Sequence, residues 1–225
     1  MNRVRVVSVN VGRPALLGMR LGAAVVSAIY KRPAELTSLW LNDEQLEGDG
    51  QADTRVHGGA EKALYVYPLE HLHAWGEELA AAELFVPGAI GENLTVTGCD
   101  ESTVRIGDVW RWGDALVQVC QPRHPCFKLA MRTGHPELLK RFEQTGRCGW
   151  YMRVLQPGYV PAAAPLELDV VDRDTDVLSV REAQRLSWKP SDPADVERAA
   201  EHPALGDGWR RNLRRRLASV HTPAP

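Results

Sequence analysis

Polar and apolar residues alternate from Arg3 to Val11, with Val4, Val6 and Val9 among the apolar positions. That period predicts a half-buried strand. Further strands are predicted over 23–30, 63–67, 93–97, 149–155 and 166–171. Val109 to Trp112, Gly113-Asp114 and Ala115 to Gln121 read as a hairpin with a glycine-containing turn. Short strands punctuated by Gly and Pro indicate a barrel or sandwich, not repeated βαβ units. Two helices interrupt the pattern. Over 68–81, Leu69, Leu72, Trp75 and Leu79 share one helical face, and over 135–142, Leu138, Leu139 and Phe142 do the same. Both are expected to plug or flank the barrel.

After about Val171 the pattern changes. Ser179-Val-Arg-Glu182 is a capping box, Asp192-Pro193 opens a second helix, and Asp207 precedes a third in which Trp209, Leu213 and Leu217 recur every four residues. The expected organisation is a mainly β domain over residues 1–172 and a small three-helix domain over 173–225. The last helix carries Arg210, Arg211, Arg214, Arg215 and Arg216. Such a run is either a solvated face or a docking patch.

Composition narrows the function. Of 225 residues, 44% are hydrophobic and 25% charged, which is ordinary globular usage. The net charge of −2 gives no basic field for nucleic acid. No apolar stretch is long enough to span a bilayer, and the first residues read as a strand, not a secretory leader. A cytoplasmic setting is the default expectation. Cys99, Cys120, Cys126 and Cys148 include no C-x-x-C pair, so neither a zinc knuckle nor an iron–sulfur set is present.

Four segments offer chemistry. In His57-Gly58-Gly59-Ala-Glu-Lys62, paired glycines let the backbone approach an anion, and His57 and Lys62 add donors. A hairpin turn with a surface lysine and a packed histidine explains the same residues. In Gly88-Ala-Ile-Gly91-Glu92-Asn93, the Asn93 amide could meet a heterocycle, or the segment is a plain turn. In Gln121-Pro-Arg123-His124-Pro-Cys126, two prolines end a strand and set Cys126 at the barrel mouth, at the start of a short helix. Arg123 and His124 would lower that thiol's pKa, making it a soft metal ligand or a nucleophile; the alternative is an inert buried cysteine. Cys99, Cys120 and Cys148 have no such setting and read as structural. In Trp150-Tyr151-Met-Arg153, the rings and the cation could line a pocket, or they are core packing with a snorkelling arginine.

Taken in order, V-H-G-G-A-E-K-A-L-Y-V-Y-P, G-E-N-L, Q-P-R-H-P-C-F-K-L and G-W-Y-M-R-V-L-Q-P-G resemble the MOSC family, nearest its YiiM-like branch associated with hydroxylaminopurine resistance. The resemblance covers nearly the whole chain, since that branch also ends in three helices. It implies a MOSC-type β-barrel with flanking helices and a pterin-bound molybdenum cofactor (molybdopterin). It places Cys126 as the metal ligand or sulfur-bearing residue. His57, Gly58, Gly59, Lys62, Asn93, Arg123 and Arg153 fall in the matching pocket motifs.

The implied activity is reduction of N-hydroxylated compounds, with Cys126 and His57 as catalytic residues. A persulfide sulfur carrier and a non-catalytic cofactor-binding module are the alternatives. This sequence lacks the cysteine set of a fused ferredoxin, so a separate electron-donor reductase, flavin-dependent, is expected as partner. Apolar faces on the terminal helices would permit a homodimer.

Overall fold

Val4 and Val6 turn inward from the first strand while Arg3 and Arg5 turn out, as the alternation requires. This strand, β1 (Arg3–Val11), is followed by the ribbon β2 (Ala15–Arg20) and β3 (Ala23–Ser27), then β4 (Arg32–Pro33) and β5 (Ser38–Leu41). Next come β6 (Leu64–Pro68), helix α1 (Leu69–Glu78), β7 (Leu94–Thr97), β8 (Val109–Trp112) and β9 (Ala115–Pro122). Helices α2 (Phe127–Thr133) and α3 (Glu137–Thr145) precede β10 (Trp150–Gln156), β11 (Gly158–Pro161) and β12 (Leu166–Asp172). The chain ends in α4 (Val180–Trp188), α5 (Pro193–Glu201) and α6 (Asp207–Val220). The structure is a computed structural model that describes residues 3–52, 58–175, 177–189 and 191–220.

Seven strands close a barrel in the order β1-β12-β8-β9-β10-β6-β7 and back to β1. All neighbours are antiparallel except β6 and β7. A parallel pair cannot be joined by a hairpin, so the chain crosses over through α1. Val6, Leu64, Val66, Leu94, Val96, Trp110, Val117, Trp150 and Met152 are fully or almost fully buried in the core. Outside the barrel, Arg3 bridges β1 to β12 through Glu167 and Asp169 at 2.9 and 3.0 Å.

The sequence places most barrel strands within a residue or two. The second strand differs: it stops at Ser27 and pairs with β2 in a projecting ribbon, not with the barrel. Its partner β2 and the ribbon β5–β11 are not predicted. The β2 side chains are exposed or half-buried, so they carry no core periodicity. Trp40 of β5 packs edge-on against Tyr159 of β11, with centroids 4.9 Å apart.

The helices flank the barrel as expected. All five residues of β6 are buried because α1 and α3 cover its outer face. Phe142 stacks on Tyr67 and on Trp75, and the Trp75 indole donates to the Tyr67 hydroxyl at 2.7 Å. The terminal helices start at their predicted caps. Ser179 Oγ accepts from Glu182 N at 3.1 Å, and an Asp192 carboxylate oxygen accepts from Ala194 N at 2.9 Å.

This helical unit docks on the barrel by main-chain contacts. Gly206 N donates to Cys120 O at 2.8 Å, and Asp207 N donates to the Glu61 carboxylate at 2.9 Å. The arginine run is mostly spent at home: Arg210 pairs with Asp207, Arg214 pairs with Glu201, and Arg216 donates to Ser187 O.

Candidate functional site

Pro122 ends β9, and the chain turns through Arg123, His124 and Pro125 to Cys126, which caps α2 in an extended conformation. The sulfur-bearing residue is half-buried, whereas Cys99, Cys120 and Cys148 are buried. Burial pushes the thiols of Cys99 and Cys120 up to about 12 and raises that of Cys148 as well.

Cys126 lines a cleft with about 650 Å³ of space between its walls, the open mouth included. Lys31, Lys62, Arg123 and Lys128 also line it, against one lining carboxylate, Asp49, among the described residues. Asp49 is committed to its neighbours. It pairs with Lys31, both side chains being buried, and accepts from Gly12 N at 2.9 Å and from the Asn93 amide at 2.7 Å. Burial lowers the Lys31 pKa against the opposing pull of Asp49. The lining of the cleft therefore carries an excess of positive charge.

Arg123 is held by an aromatic ring and a carbonyl. Its guanidinium is buried, lies 4.4 Å from the centroid of the Tyr65 ring, and donates to Ile90 O at 2.9 Å. Burial lowers its pKa, but Tyr65, Tyr151 and Cys126 outweigh burial and hold it above the ordinary value. Among the described residues no carboxylate pairs with it. The turn that presents Ile90 is built by Glu92, which is wholly buried and accepts from Gly88 N, Ile90 N and Thr95 Oγ1 at 2.6, 3.2 and 3.0 Å. Gly88 has φ +86, and a Cβ there would stand 2.6 Å from Lys31 O, so glycine lets this turn close against the segment that carries Lys31.

The sequence-derived candidates separate. Cys126, Lys62, Asn93 and Arg123 share the cleft. Asn93 lines it but is spent. Its Oδ1 accepts from Tyr65 N at 3.0 Å, and its Nδ2 donates to Asp49 and to Asn10 O. It ties β6 to β1 instead of presenting a free amide. Gly59 has φ +88, and its N–H is taken by Gln51 Oε1 at 2.8 Å; Gly58 and Gly59 do not line the cleft but start the turn that brings Lys62 into it. Arg153 lies elsewhere. It stands two residues beyond Tyr151 along β10 and donates to Ala204 O at 2.9 Å, with Glu61 at 3.5 Å, at the seam with the helical unit. His57 lies outside the described residues.

Sequence reasoning missed Lys31, Lys128, Asp49 and Tyr65 as members of the site. Lys128 was legible in part, because it follows Cys126 by two residues in C-F-K. The others reach the cleft only through tertiary structure.

The donor set can be tested against a metal cofactor. No group of three His, Cys, Asp or Glu able to hold a metal ion occurs among the described residues. The cleft supplies one soft sulfur and several cations. That chemistry fits a metal that arrives on an anionic organic carrier and takes a single ligand from the protein.

The pattern of the MOSC domain matches residues 53–167, and that of the YiiM-like 3-alpha helix domain matches residues 178–220. The chain belongs to the MOSC domain family. It is 44% identical to Protein YiiM of Escherichia coli (strain K12) over 183 residues, 80% of each chain. The crystal structure of YiiM from Geobacillus stearothermophilus superposes with a TM-score of 0.78 at 35% identity, over 95% of this chain and 99% of that one. A protein of Gibberella moniliformis named a reductase is 38% identical over 168 residues, which are 74% of this chain and 29% of that protein. Cys126, Lys62, Arg123 and Lys128 fall within the MOSC match, whereas the cleft wall formed by Ser27 to Lys31 and Asp49 to Ala52 precedes it. No described helix is long and apolar enough to cross a membrane.

Proposed function

We propose that the chain is a molybdenum-cofactor oxidoreductase that reduces N-hydroxylated compounds such as hydroxylaminopurine-type bases. The observation that carries this reading is the accessible sulfur of Cys126 in a cleft lined by Lys62, Arg123 and Lys128. The reaction is R–NHOH + 2e⁻ + 2H⁺ → R–NH₂ + H₂O. Among the described residues the cleft holds one cysteine and no second thiol for a reversible disulfide couple, so a cofactor is required to carry the electron pair. The pterin-bound molybdenum, when bound, supplies that two-electron couple.

The chain's own residues then have distinct tasks. Cys126 offers its thiolate to the metal. Lys62, Arg123 and Lys128 hold the anionic end of the pterin, with Arg123 held in place by Tyr65 and Ile90 O. Asn93 and Asp49 fix the walls and do not touch the reacting atoms. His57, just before the Gly58-Gly59 turn, delivers a proton to the leaving oxygen from its imidazole. Electrons come from a separate partner, a flavin reductase oxidising a reduced pyridine nucleotide.

The test uses protein isolated from a cofactor-producing host, supplied with NADH and a flavin reductase. The reading expects one amine formed per NADH consumed from 6-hydroxylaminopurine, and a loss of at least a hundredfold in Cys126→Ser. No amine from molybdenum-loaded protein overturns it. A cyanide-labile sulfur on Cys126 without molybdenum would instead mark a sulfur carrier.

A further inference from the structure

The β2–β3 ribbon has two faces of different fate. Its register pairs Leu16 with Val26 and Met19 with Ala24, so these four share one face, while Gly18, Arg20, Ala23 and Val25 share the other. The second face lies against α2. Arg20 stacks over the Phe127 ring at 4.3 Å, and a Cβ on Gly18 would stand 3.3 Å from the Met131 methyl. The first face is open to solvent: Leu16 is 62% exposed, Met19 63% and Val26 44%. At the tip, Leu21 is 93% exposed at φ +50, and Gly22 follows at φ +76.

That tip is unfavourable to the free chain twice over. A two-residue turn with both φ values positive favours Asn-Gly, and a leucine is strained there. Its side chain also gains nothing by burial within the chain. Such a residue suits an anchor that is buried in a partner. Charge says what the partner presents. Neither the ribbon nor α2 contains Asp or Glu, and the first acidic residue of the chain is Glu35. Arg13 and Arg20 stand at the two ends of β2, and Arg132 of α2 lies over the Tyr30 ring at 4.6 Å. None of these three arginines pairs with a carboxylate among the described residues, whereas Arg3, Arg141, Arg185 and Arg214 all do. Position says where the partner sits. The strand β3 ends at Ser27, and Ser27, Ala28 and Ile29 line the Cys126 cleft.

We infer that the open face of the ribbon, anchored by Leu21, is the docking surface for the flavin reductase that delivers electrons, and that this partner presents an apolar patch ringed by carboxylates. The inference rests on the proposed reduction, which it deepens by locating the electron donor. A protein seated along the ribbon abuts the wall of the cleft. Arg13 and Arg20 steer its acidic rim, and the apolar face with Leu21 holds it.

The test uses the full chain from a cofactor-producing host, titrated with the flavin reductase of the coupled assay at low and high salt. Leu21→Asn and Met19→Asp should each weaken binding about tenfold. Leu21→Asn should do so with an unchanged or raised melting temperature, because asparagine accepts the left-handed backbone. Replacing Arg13 and Arg20 together by Gln should weaken binding at low salt and flatten its salt dependence. Reduction of 6-hydroxylaminopurine by electrochemically reduced methyl viologen, a small donor that needs no docking surface, should be the same in Leu21→Asn as in the wild type. A wild type that does not bind the reductase, or variants that bind it as the wild type does, would overturn the docking surface. So would a wild-type dimer that Leu21→Asn dissolves, which gives the face to a second copy, or Leu21-dependent binding to phosphatidylserine vesicles in place of the reductase. If the variants lose reductase binding as expected but no N-hydroxylated compound is reduced with either donor, the docking surface stands and the proposed reaction falls.

Discussion

The Arg123 guanidinium lies over the Tyr65 ring, 4.4 Å from its centroid, with the Ile90 carbonyl as its hydrogen-bond partner. Among the described residues it has no carboxylate partner, and a buried cation left so favours a bound anion. Charge-assisted hydrogen bonds contribute about 1.5–3 kcal/mol each, so Arg123→Met should weaken pterin retention roughly tenfold to a hundredfold. The check is the pterin released per chain after extended dialysis, with far-UV circular dichroism as the control for folding. Arg123→Lys should recover little, because a lysine cannot reproduce the flat stack on Tyr65.

Cysteine reactivity should single out position 126. Cys99 and Cys120 are buried with thiols pushed up to about 12, and Cys148 is also raised. Iodoacetamide at pH 7.5 should give one adduct on the native cofactor-free chain, mapped to Cys126 by peptide mass. Adducts at the other three should need denaturant.

The Asp49–Lys31 pair should matter for stability. Removing Asp49 leaves the Lys31 ammonium buried and unpaired, and strips Gly12 N and the Asn93 amide of an acceptor. Asp49→Ala should lower unfolding free energy by about 3–5 kcal/mol in urea titration. Replacing both residues, Lys31→Met with Asp49→Leu, should recover part of that loss.

His124 should make the chain acid-sensitive. The residue keeps an exposed edge, but partial desolvation of its ring against Trp209 and Trp188, then the charge of Lys62, lowers its pKa below the ordinary 6.5. The unfolded chain then binds more protons than the folded one just below pH 6.5, so stability rises with pH across that window and falls on acidification through it. His124→Phe should flatten the fall in melting temperature between neutral pH and pH 5.

The barrel was legible because most of its strands bury one face and expose the other. The sequence reading found β1 from that period, β8 and β9 from their glycine-containing turn, and β6, β7, β10 and β12 as short β-prone runs bounded by Gly or Pro. Of the β2–β3 ribbon, β3 was found but its partner β2 was not, because the β2 side chains are exposed or half-buried and show no core periodicity. The placement of Cys126 was legible because Pro122 and Pro125, both before it, cannot continue a central strand. The role of Asn93 was not, since nothing local says that its amide would be consumed by Tyr65, Asp49 and Asn10. Arg153 shares its strand with Tyr151, yet two residues of extended chain carry it past the cleft to Ala204. Lys31 enters the site from a segment far from any motif. It is placed by the close approach of Gly88, which is visible only in three dimensions.

The direct test of the account is the molybdenum content per chain of protein purified from a cofactor-producing host, compared with Cys126→Ser prepared in parallel. The account predicts near-stoichiometric metal in the wild type and at least a tenfold loss in the variant. A wild-type chain free of molybdenum, or a serine variant that keeps its full complement, would contradict it.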